Sequence, residues 1–338
     1  WKAETVRQKS NGKGTALLTA SIVKNSPLEL CSLTKLAVGP QAIPGVRTLR
    51  EFGRRYMDVE SAVVLDSQGE VAGATAVVGF KNLQELRGLM HRYIYRRTAE
   101  DVGMKLPEVE TVQHFFDMSD RVRAAYDDLV SKIHSAAKYR FQRKARRNQG
   151  GTQAIPSIFE LYAGMRKLTL EPALQSARFL PLRNPRFKLA ASIAAAAVGK
   201  GGRVLMFMDM GQNHDASAGS VTLNAYERVV AELELAGVSR DRVRVATGTT
   251  LPSAQSRRSL EVDYADGKIE VIIGSTGVIG EGVDLQVGTT DIIHLDTPWD
   301  PGSYMQRLGR AVRQGSKAER IRNHVLVARG SFDSIMFS

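Results

Sequence analysis

Two neighbouring stretches decide the fold: GSTGVIGEGVDLQ (residues 274–286) and TPWDPGSYMQRLGRAVRQGS (residues 297–316). The first is typical of a glycine-rich turn, and the second predicts a helix that carries regularly spaced arginines. Gln306, Arg310 and Arg313 follow one another at spacings of four and three residues, so on a helix they share one face and can converge on a single anion. The alternative is a solvated basic helix face.

A phosphate group is the anion that suits such a cluster. Guanidinium is planar, permanently charged and forked, and this geometry matches the oxygen atoms of a phosphate. An arginine that stabilises the charge of a transferring phosphoryl group raises the rate by roughly 10³–10⁵-fold. The arginine helix is therefore a candidate catalytic element.

Beyond Pro181 the sequence alternates short β-rich runs with helical patterns. This alternation predicts an α/β fold with a mostly parallel sheet and helices on both faces. Ligands of such sheets collect beyond the carboxyl ends of the strands, so the glycine turn and the loop that carries Asp296 are expected at the same edge. Strands are predicted at 204–208, 243–246, 269–273, 292–295 and 325–327, and helices at 187–198, 221–236, 254–265 and 304–313.

The first third of the chain has a different pattern. A helical region over 27–56 is interrupted by glycine and proline at 39–45, and a hairpin is predicted around 67–70. A boundary near Leu106 and Pro107 would divide the chain into domains 1–106 and 107–338. The second domain would carry a helical protrusion at about 119–180.

The basic character of the chain favours a polyanionic partner. The 338 residues carry a formal net charge of +12, and counterion release stabilises each Lys or Arg placed on a phosphate. KYRFQRKARRNQ (residues 138–149) contains six basic residues and no acid, and it is either a phosphate-backbone contact or a solvated helix end.

The composition does not indicate a disulfide-rich, zinc-binding, membrane or secreted protein. A single cysteine, Cys31, excludes an intramolecular disulfide framework, and the six histidines are too scattered to predict a zinc site. No apolar run approaches the length needed to span a membrane, and the first residues lack the order of a signal peptide. We expect a location in the cytoplasm of a bacterial or phage-infected cell, with no membrane partner.

The order of these motifs resembles the second half of a superfamily-two helicase-type ATPase, in particular the Swi/Snf-type double-stranded DNA translocases. The region around the arginine helix is also similar to phage and mobile-element helicase proteins, some of which are fused to methylases and act against restriction. The matching stretches, in the family's order from its third motif to its sixth, are LLTASIVKNSPLELCSL (17–33), LRGLMHRYIYRRTAEDV (86–102) with LPEVE (106–110), DMSDRVRAAYDDL (117–129), RVLMFMD (203–209), GSTGVIGEGVDLQ (274–286) and QRLGRAVRQGS (306–316).

This resemblance implies a RecA-like lobe two preceded by the tail of a first RecA-like lobe, and an activity of ATP-driven translocation on double-stranded DNA. It also implies that Arg310 and Arg313 are arginine fingers and that Gln306 helps to position the nucleotide. Three further residues would form the lobe-two side of the ATP cleft: Gly280, Gly282 and Asp284.

The resemblance further implies contacts to nucleic acid. Ser275 and Thr276 would touch the DNA backbone, because hydroxyl and main-chain N–H groups bind phosphates without reading bases. Thr19 and Ser21, counted with them as nucleic-acid-binding residues, would couple the two lobes. The alternative for Ser275 and Thr276 is a simple turn after a strand. Ile22 stands where the family commonly has proline, a departure in the loop that holds Thr19 and Ser21.

Two parts of a complete motor are not found in the sequence. There is no G-x-x-x-x-G-K-[ST] phosphate loop, and no Asp-Glu pair precedes the third motif to hold magnesium. In the family these parts lie upstream. We therefore expect the chain to be the C-terminal part of a longer ATPase that binds ATP and Mg²⁺ mainly through the rest of lobe one, and to be inactive alone.

Two interpretations from other classes of protein compete with this one. A dinucleotide-binding enzyme would explain a glycine-rich turn after a strand, but only about eight residues separate Gly282 from the next strand, and a parallel crossover needs a dozen or more. A non-catalytic nucleic-acid-binding or assembly protein that retains the helicase fold is the alternative that stays open.

Overall fold

Both motifs lie in the larger of the two units into which the computed structural model divides, Trp1–Val102 and Gly103–Ser338. Outside a few positions before residue 26, the residues that the structure describes are 26–65, 71–145, 158–211, 214–215, 222–280, 283–298 and 300–336.

The smaller unit contains helices and an antiparallel hairpin, as the sequence predicted. Its second helix begins with a capping box, in which the Thr48 side chain accepts the N–H of Glu51 and the Glu51 carboxylate accepts the N–H of Thr48. Cys31, Phe52 and Tyr56 lie in its core. Its elements are α1 (Leu28–Val38), α2 (Leu49–Tyr56), β1 (Met57–Leu65), β2 (Val71–Phe80) and α3 (Leu83–Tyr93).

The larger unit is built on a six-stranded sheet in which every neighbouring pair of strands is parallel. The strands at Arg203–Phe207 (RVLMF) and Val271–Gly274 (VIIG) are almost entirely apolar, which is the pattern expected of strands buried on both faces. The sheet strands are β3 (Glu108–Phe116), β4 (Arg203–Phe207), β7 (Val243–Ala246), β8 (Val271–Gly274), β9 (Thr289–His294) and β10 (Arg320–Ala328), in the spatial order β3-β10-β9-β4-β8-β7, and a short antiparallel pair is formed by β5 (His214–Asp215) and β6 (Thr222–Leu223).

Helices cover both faces of the sheet and bury two separate apolar cores. The predicted fold class, an α/β parallel sheet with flanking helices, is confirmed. The helices are α4 (Asp120–Ala145), α5 (Ile158–Leu170), α6 (Pro185–Val198), α7 (Ala225–Leu235), α8 (Ala254–Ala265), α9 (Thr276–Ile279), α10 (Pro301–Leu308) and α11 (Phe332–Met336), of which α4 to α7 pack on one face and α8 to α10 on the other.

The arginine helix, α10, spans Pro301–Leu308, whereas the sequence predicted a helix over 304–313. Asp300 caps its start by accepting a backbone N–H of the first turn at 2.7 Å. Pro301 occupies the first turn and Gly309 the C-cap. A proline at the start and a glycine just past the end are ordinary limits of a helix, and here they outweigh the arginine spacing.

Beyond α10 the chain continues as tight turns. The N–H of Arg310 donates to the Arg307 carbonyl at 3.2 Å, and the N–H of Arg313 donates to a carbonyl only two residues earlier, at 3.0 Å. These bonds are too short in sequence for an α-helix. The prediction that Arg310 and Arg313 share a helix face with Gln306 is therefore wrong, and the positions of the two arginines depend on their own contacts.

Candidate functional site

The carboxyl ends of three adjacent strands, β9, β4 and β8, bring polar residues together. Asp296 lies two residues after β9, and Asp209 lies two residues after β4. Thr276 follows β8 after a single intervening residue. Because these strands are neighbours in a parallel sheet, the three side chains meet at one edge.

Arg307, from α10, fills the space between them and has no exposed side-chain surface. Its Nη2 donates to Asp209 Oδ2 at 2.6 Å and to Asp296 Oδ1 at 2.8 Å. Its Nε donates to Thr276 Oγ1 at 2.7 Å. One guanidinium therefore joins the arginine helix to the ends of all three strands, and we call these four residues the Arg307 hub.

The two carboxylates of the Arg307 hub also hold the backbone. Asp209 Oδ1 accepts the N–H of Thr276 at 2.6 Å, and Asp209 Oδ2 accepts its hydroxyl at 2.9 Å. Asp296 Oδ2 accepts the N–H of Asp209 at 2.7 Å. Burial alone would raise the pKa of Asp209, but Arg307 and the two donors of Thr276 outweigh it and lower that pKa. Asp209 is therefore a carboxylate at neutral pH.

His294, at the end of β9, is the neutral member of this neighbourhood. Arg307 Nη1 lies 3.3 Å from His294 Nδ1, and His294 Nε2 lies 2.8 Å from Asn323 Oδ1. Since a guanidinium only donates, Nδ1 must accept and Nε2 carries the proton. Burial and then the charge of Arg307 lower the pKa of His294 to about 3.

The glycine turn and the two predicted fingers do meet. Arg310 Nη1 donates to the Val283 carbonyl at 3.0 Å, and Arg313 Nη1 forms an ion pair with Asp284 Oδ1 at 2.5 Å. The Arg313 side chain is 48% exposed and that of Asp284 is 60% exposed. Gln306 lies half-buried on α10. Both arginines therefore contact the segment directly after the glycine turn, although neither lies on α10.

The two glycines predicted to border the ATP cleft differ in what the structure shows. A Cβ atom at Gly280 would lie 2.0 Å from the carbonyl oxygen of Thr276, so the packing of the turn itself requires glycine there. Gly282 lies outside the described residues. Their cofactor-binding role stays a prediction.

The predicted nucleic-acid-binding residues differ in their burial and in whether the structure describes them. Ser275 is half-buried at the N-cap position of α9. Thr276 is buried, with its N–H and hydroxyl engaged by Asp209 and its hydroxyl oxygen also accepting from Arg307. Thr19 and Ser21 lie outside the described residues. The DNA contact of all four residues stays a prediction.

Sequence reasoning missed Arg307, although a signal was present. Asp209 and Asp296 each stand just after a predicted strand, and a carboxylate that is buried at such a position needs a cation. Arg307 is three residues after Tyr304 and adjacent to Leu308, so on α10 it points toward the apolar core rather than to solvent. Arg307 is therefore the arginine that α10 buries, whereas Arg310 and Arg313 follow the helix.

Neither a metal centre nor a membrane span can be assigned from the parts of the chain that the structure describes. Across those parts, no group of three or more His, Cys, Asp or Glu residues could hold a metal ion. No helix among the same residues has the length and apolar character needed to cross a membrane.

The sequence of this chain is similar to those of known helicase proteins. Residues 189–315 match the helicase conserved C-terminal domain family, which confirms the prediction of a helicase C-terminal part. The chain is 23% identical to defense against restriction protein B of Escherichia phage P1 over 96% of this chain and 20% of that protein, so it spans about a fifth of that relative. It is 39% identical to the DEAD-box ATP-dependent RNA helicase CshA of Bacillus anthracis over 18% of this chain and 11% of that protein.

Solved structures of similar fold include two ATPases. The C-terminal part of the Fun30 ATPase domain aligns with a TM-score of 0.48 and 17% identity, covering 69% of this chain and 89% of that chain. The Sulfolobus solfataricus SWI2/SNF2 ATPase core in complex with dsDNA aligns with a TM-score of 0.47 and 16% identity, covering 94% of this chain and 58% of that chain.

Replacing Arg307 with methionine should destabilise the larger unit by about 3–5 kcal/mol, because the buried carboxylate of Asp296 loses its cation. Urea unfolding followed by circular dichroism measures this free energy. Arg313→Met is the matched control, since its ion pair is half exposed and is worth about 0–1 kcal/mol. Equal losses in the two variants would contradict the central position given to Arg307.

Stability should also fall as the pH is lowered from about 6.5 toward the folded pKa of His294, about 3. In that window the unfolded chain binds a proton at this residue and the folded chain does not, so the slope is at most about 1.4 kcal/mol per pH unit. His114, whose pKa is lowered by burial and by His324, adds in the same direction. His294→Gln should flatten the slope of unfolding free energy against pH between 6 and 4, and an unchanged slope would refute this assignment.

Proposed function

We propose that this chain is the C-terminal portion of an ATP-driven translocase on double-stranded DNA. Residues 189–315 match the helicase conserved C-terminal domain family. The observation that carries the proposal is the convergence of Arg310 and Arg313 on residues 283–284, directly after the glycine turn. This convergence lies at the carboxyl edge of a parallel sheet, where ligands of such folds bind.

Arg313 is the finger that can change partners. Its ion pair with Asp284 is exposed on both sides, and such pairs contribute only about 0–1 kcal/mol. A phosphate group with more negative charge can therefore displace the carboxylate at little cost. Asp284 would then hold the guanidinium beside the cleft while no nucleotide is bound.

Arg310 is held more firmly and would supply a fixed charge. Its side chain is half-buried, and Nη1 donates to the Val283 carbonyl. A guanidinium has five N–H donors in a planar fork, so one guanidinium can bind a carbonyl and phosphate oxygens together. Gln306, on the preceding helix, would position the nucleotide beside it.

The Arg307 hub would give these fingers a rigid base. It ties α10 to the ends of β4, β8 and β9 through buried charged hydrogen bonds. Catalytic groups stabilise a transition state best when their support does not have to reorganise. The buried arginine would therefore position the fingers, and the exposed arginine would contact the phosphate.

Magnesium does not fit the acidic residues of this edge. Asp209 and Asp296 already accept hydrogen bonds from Arg307 and from backbone N–H groups, so their oxygen atoms are committed. We propose that the metal and the remaining phosphate contacts come from the rest of lobe one in a longer protein.

The DNA partner is proposed from the net charge of +12 and from the motif order. Ser275, half-buried at the start of α9, is the better placed of the two hydroxyl residues for a phosphate contact. The Thr276 hydroxyl is bound within the Arg307 hub, and we propose that it supports the turn instead. Backbone contacts of this kind carry no base specificity.

The test is ATP hydrolysis by the full-length gene product with and without duplex DNA. Arg310→Ala and Arg313→Ala should each lower kcat by roughly 10³-fold or more, because each removes a charge that stabilises the transferring phosphoryl group. Arg320→Ala is the matched control: it removes an arginine that is 56% exposed and paired with Glu108 at the opposite end of the sheet. The 338-residue chain alone should show no turnover.

The outcomes of this test distinguish a motor from a non-catalytic binding protein. If the full-length product folds and binds duplex DNA in a salt-dependent manner but never hydrolyses ATP, the non-catalytic binding protein replaces the motor. If it hydrolyses ATP and the finger variants match Arg320→Ala, the motor stands and the two arginines are structural.

A further inference from the structure

Three buried arginines donate to the carbonyl groups of three successive residues just after β9. Arg186 Nη1 donates to the Leu295 carbonyl at 2.7 Å. Arg307 Nη1 donates to the Asp296 carbonyl at 2.8 Å, and Arg166 Nη2 donates to the Thr297 carbonyl at 2.6 Å. This run of backbone, residues 295–297, leads directly into the cap of α10 and so into the proposed fingers.

The three arginines come from three different helices. Arg307 belongs to α10 itself, and Arg186 lies in the first turn of α6, which packs on the sheet. Arg166 lies in α5, a helix of the region predicted as a protrusion. The main chain at residues 295–297 is therefore the point where that helical region makes a direct hydrogen bond to the segment that carries the fingers.

The charges around these arginines are balanced by three aspartates. Arg186 pairs with Asp333 of α11, and Arg307 pairs with Asp209 and Asp296. Asp296, Asp209 and Asp333 all attract the Arg166 guanidinium, although burial opposes its charge. Arg166 is thus a buried cation that donates a hydrogen bond to a backbone carbonyl.

A buried ionic group is weak evidence for stability, since an apolar side chain of similar size often serves the fold equally well. Arg166 lies beside Met165 and Leu168 of the apolar core. Methionine at position 166 could therefore preserve the packing. Methionine cannot donate the hydrogen bond to the Thr297 carbonyl. The Arg166→Met variant therefore distinguishes a role of Arg166 in positioning the loop from a role in folding.

We propose that Arg166 is a positioning residue through which the helical region 120–170 sets the placement of residues 295–300, and with them α10, Arg310 and Arg313. This inference rests on the proposed function, because the fingers matter only in a motor. Its chemistry is the charge-assisted hydrogen bond that Arg166 of α5 donates to the main chain. A helical region that shifted on binding a partner would move the fingers through that bond.

The first arm of the test is amide hydrogen exchange of the 338-residue chain, which requires no activity. Arg166→Met should speed exchange in peptides covering 297–309 by about 10- to 100-fold, since a hydrogen bond to a charged group is lost. Peptides covering β4 and β8 should exchange as in the wild type. Arg166→Lys should recover part of the protection, and Arg178→Met, which removes an exposed arginine that follows α5 in the chain, should change nothing.

The second arm is ATP turnover by the full-length product. Arg166→Met should lower kcat by about 10- to 100-fold with little change in the KM for ATP, because the fingers are misplaced while binding is retained. Arg166→Lys should recover part of kcat, whereas Arg178→Met should match the wild type. A variant that loses only stability would not show this separation of kcat from KM.

The outcomes separate the two ideas. Unchanged exchange in Arg166→Met, or exchange that rises equally in β4 and β8, overturns the positioning role whatever the activity. An active wild type with unchanged kcat in Arg166→Met also overturns it, while the motor stands. A wild type that never hydrolyses ATP overturns the motor and the link to the fingers, and hydrogen exchange alone then decides whether α5 places residues 295–300.

Discussion

The guanidinium of Arg307 is the interaction on which the site depends. It lies with no exposed surface between carboxylates that follow β4 and β9, and its Nε binds the hydroxyl that follows β8. Taking the Arg307 cation and the Asp296 anion out of water costs several kcal/mol for each ion, and only close hydrogen bonds can offset that cost. The Asp209 side chain remains 34% exposed, so its desolvation costs less. The arrangement therefore requires the strand ends and α10 to hold one relative position, because displacing any of them leaves a buried charge unpaired.

Burial divides the arginines of this region into two functional kinds. Arg307 is enclosed, and its hydrogen bonds keep their partners. Arg313, only six residues later in the sequence, is half exposed and bound to a carboxylate that is itself mostly in solvent. Screening by water makes the second pair weak and exchangeable, whereas its absence makes the first pair persistent. A motor needs both kinds, one to hold the frame and one to respond to a phosphate.

Much of the fold could be predicted from sequence because the sheet is buried on both faces. The strand at 243–246 and the helix at 254–265 match the observed limits, since apolar runs and helical periodicity report burial directly. The position of the glycine turn and the Asp296 loop at one edge of the sheet was also predicted. The end of α10 was not predicted, because the arginine, alanine and valine residues after Gly309 can continue a helix. The turn that follows Gly309 depends on contacts made across the fold, such as that of Arg310 with Val283.

The role of Arg307 could not be read from spacing, because it depends on which strands are neighbours. β4 and β9 are more than eighty residues apart in the chain, and only the sheet order places Asp209 beside Asp296. The same reason conceals Arg166 and Arg186. Their partners are main-chain carbonyls, which every residue has, so no side chain in the sequence marks the position that they recognise.

Recognition of the main chain has a consequence for which substitutions this edge can accept. The side chains of Leu295 and Thr297 can change without removing the carbonyls that Arg186 and Arg166 bind. The arginines are less replaceable. Arg186 and Arg307 each reach a carbonyl and a carboxylate from one planar group, and a lysine ammonium on its flexible stem cannot reproduce that fork. The constraint on residues 295–297 therefore lies in the residues that surround them, and this loop keeps its shape through side chains contributed by α5, α6 and α10.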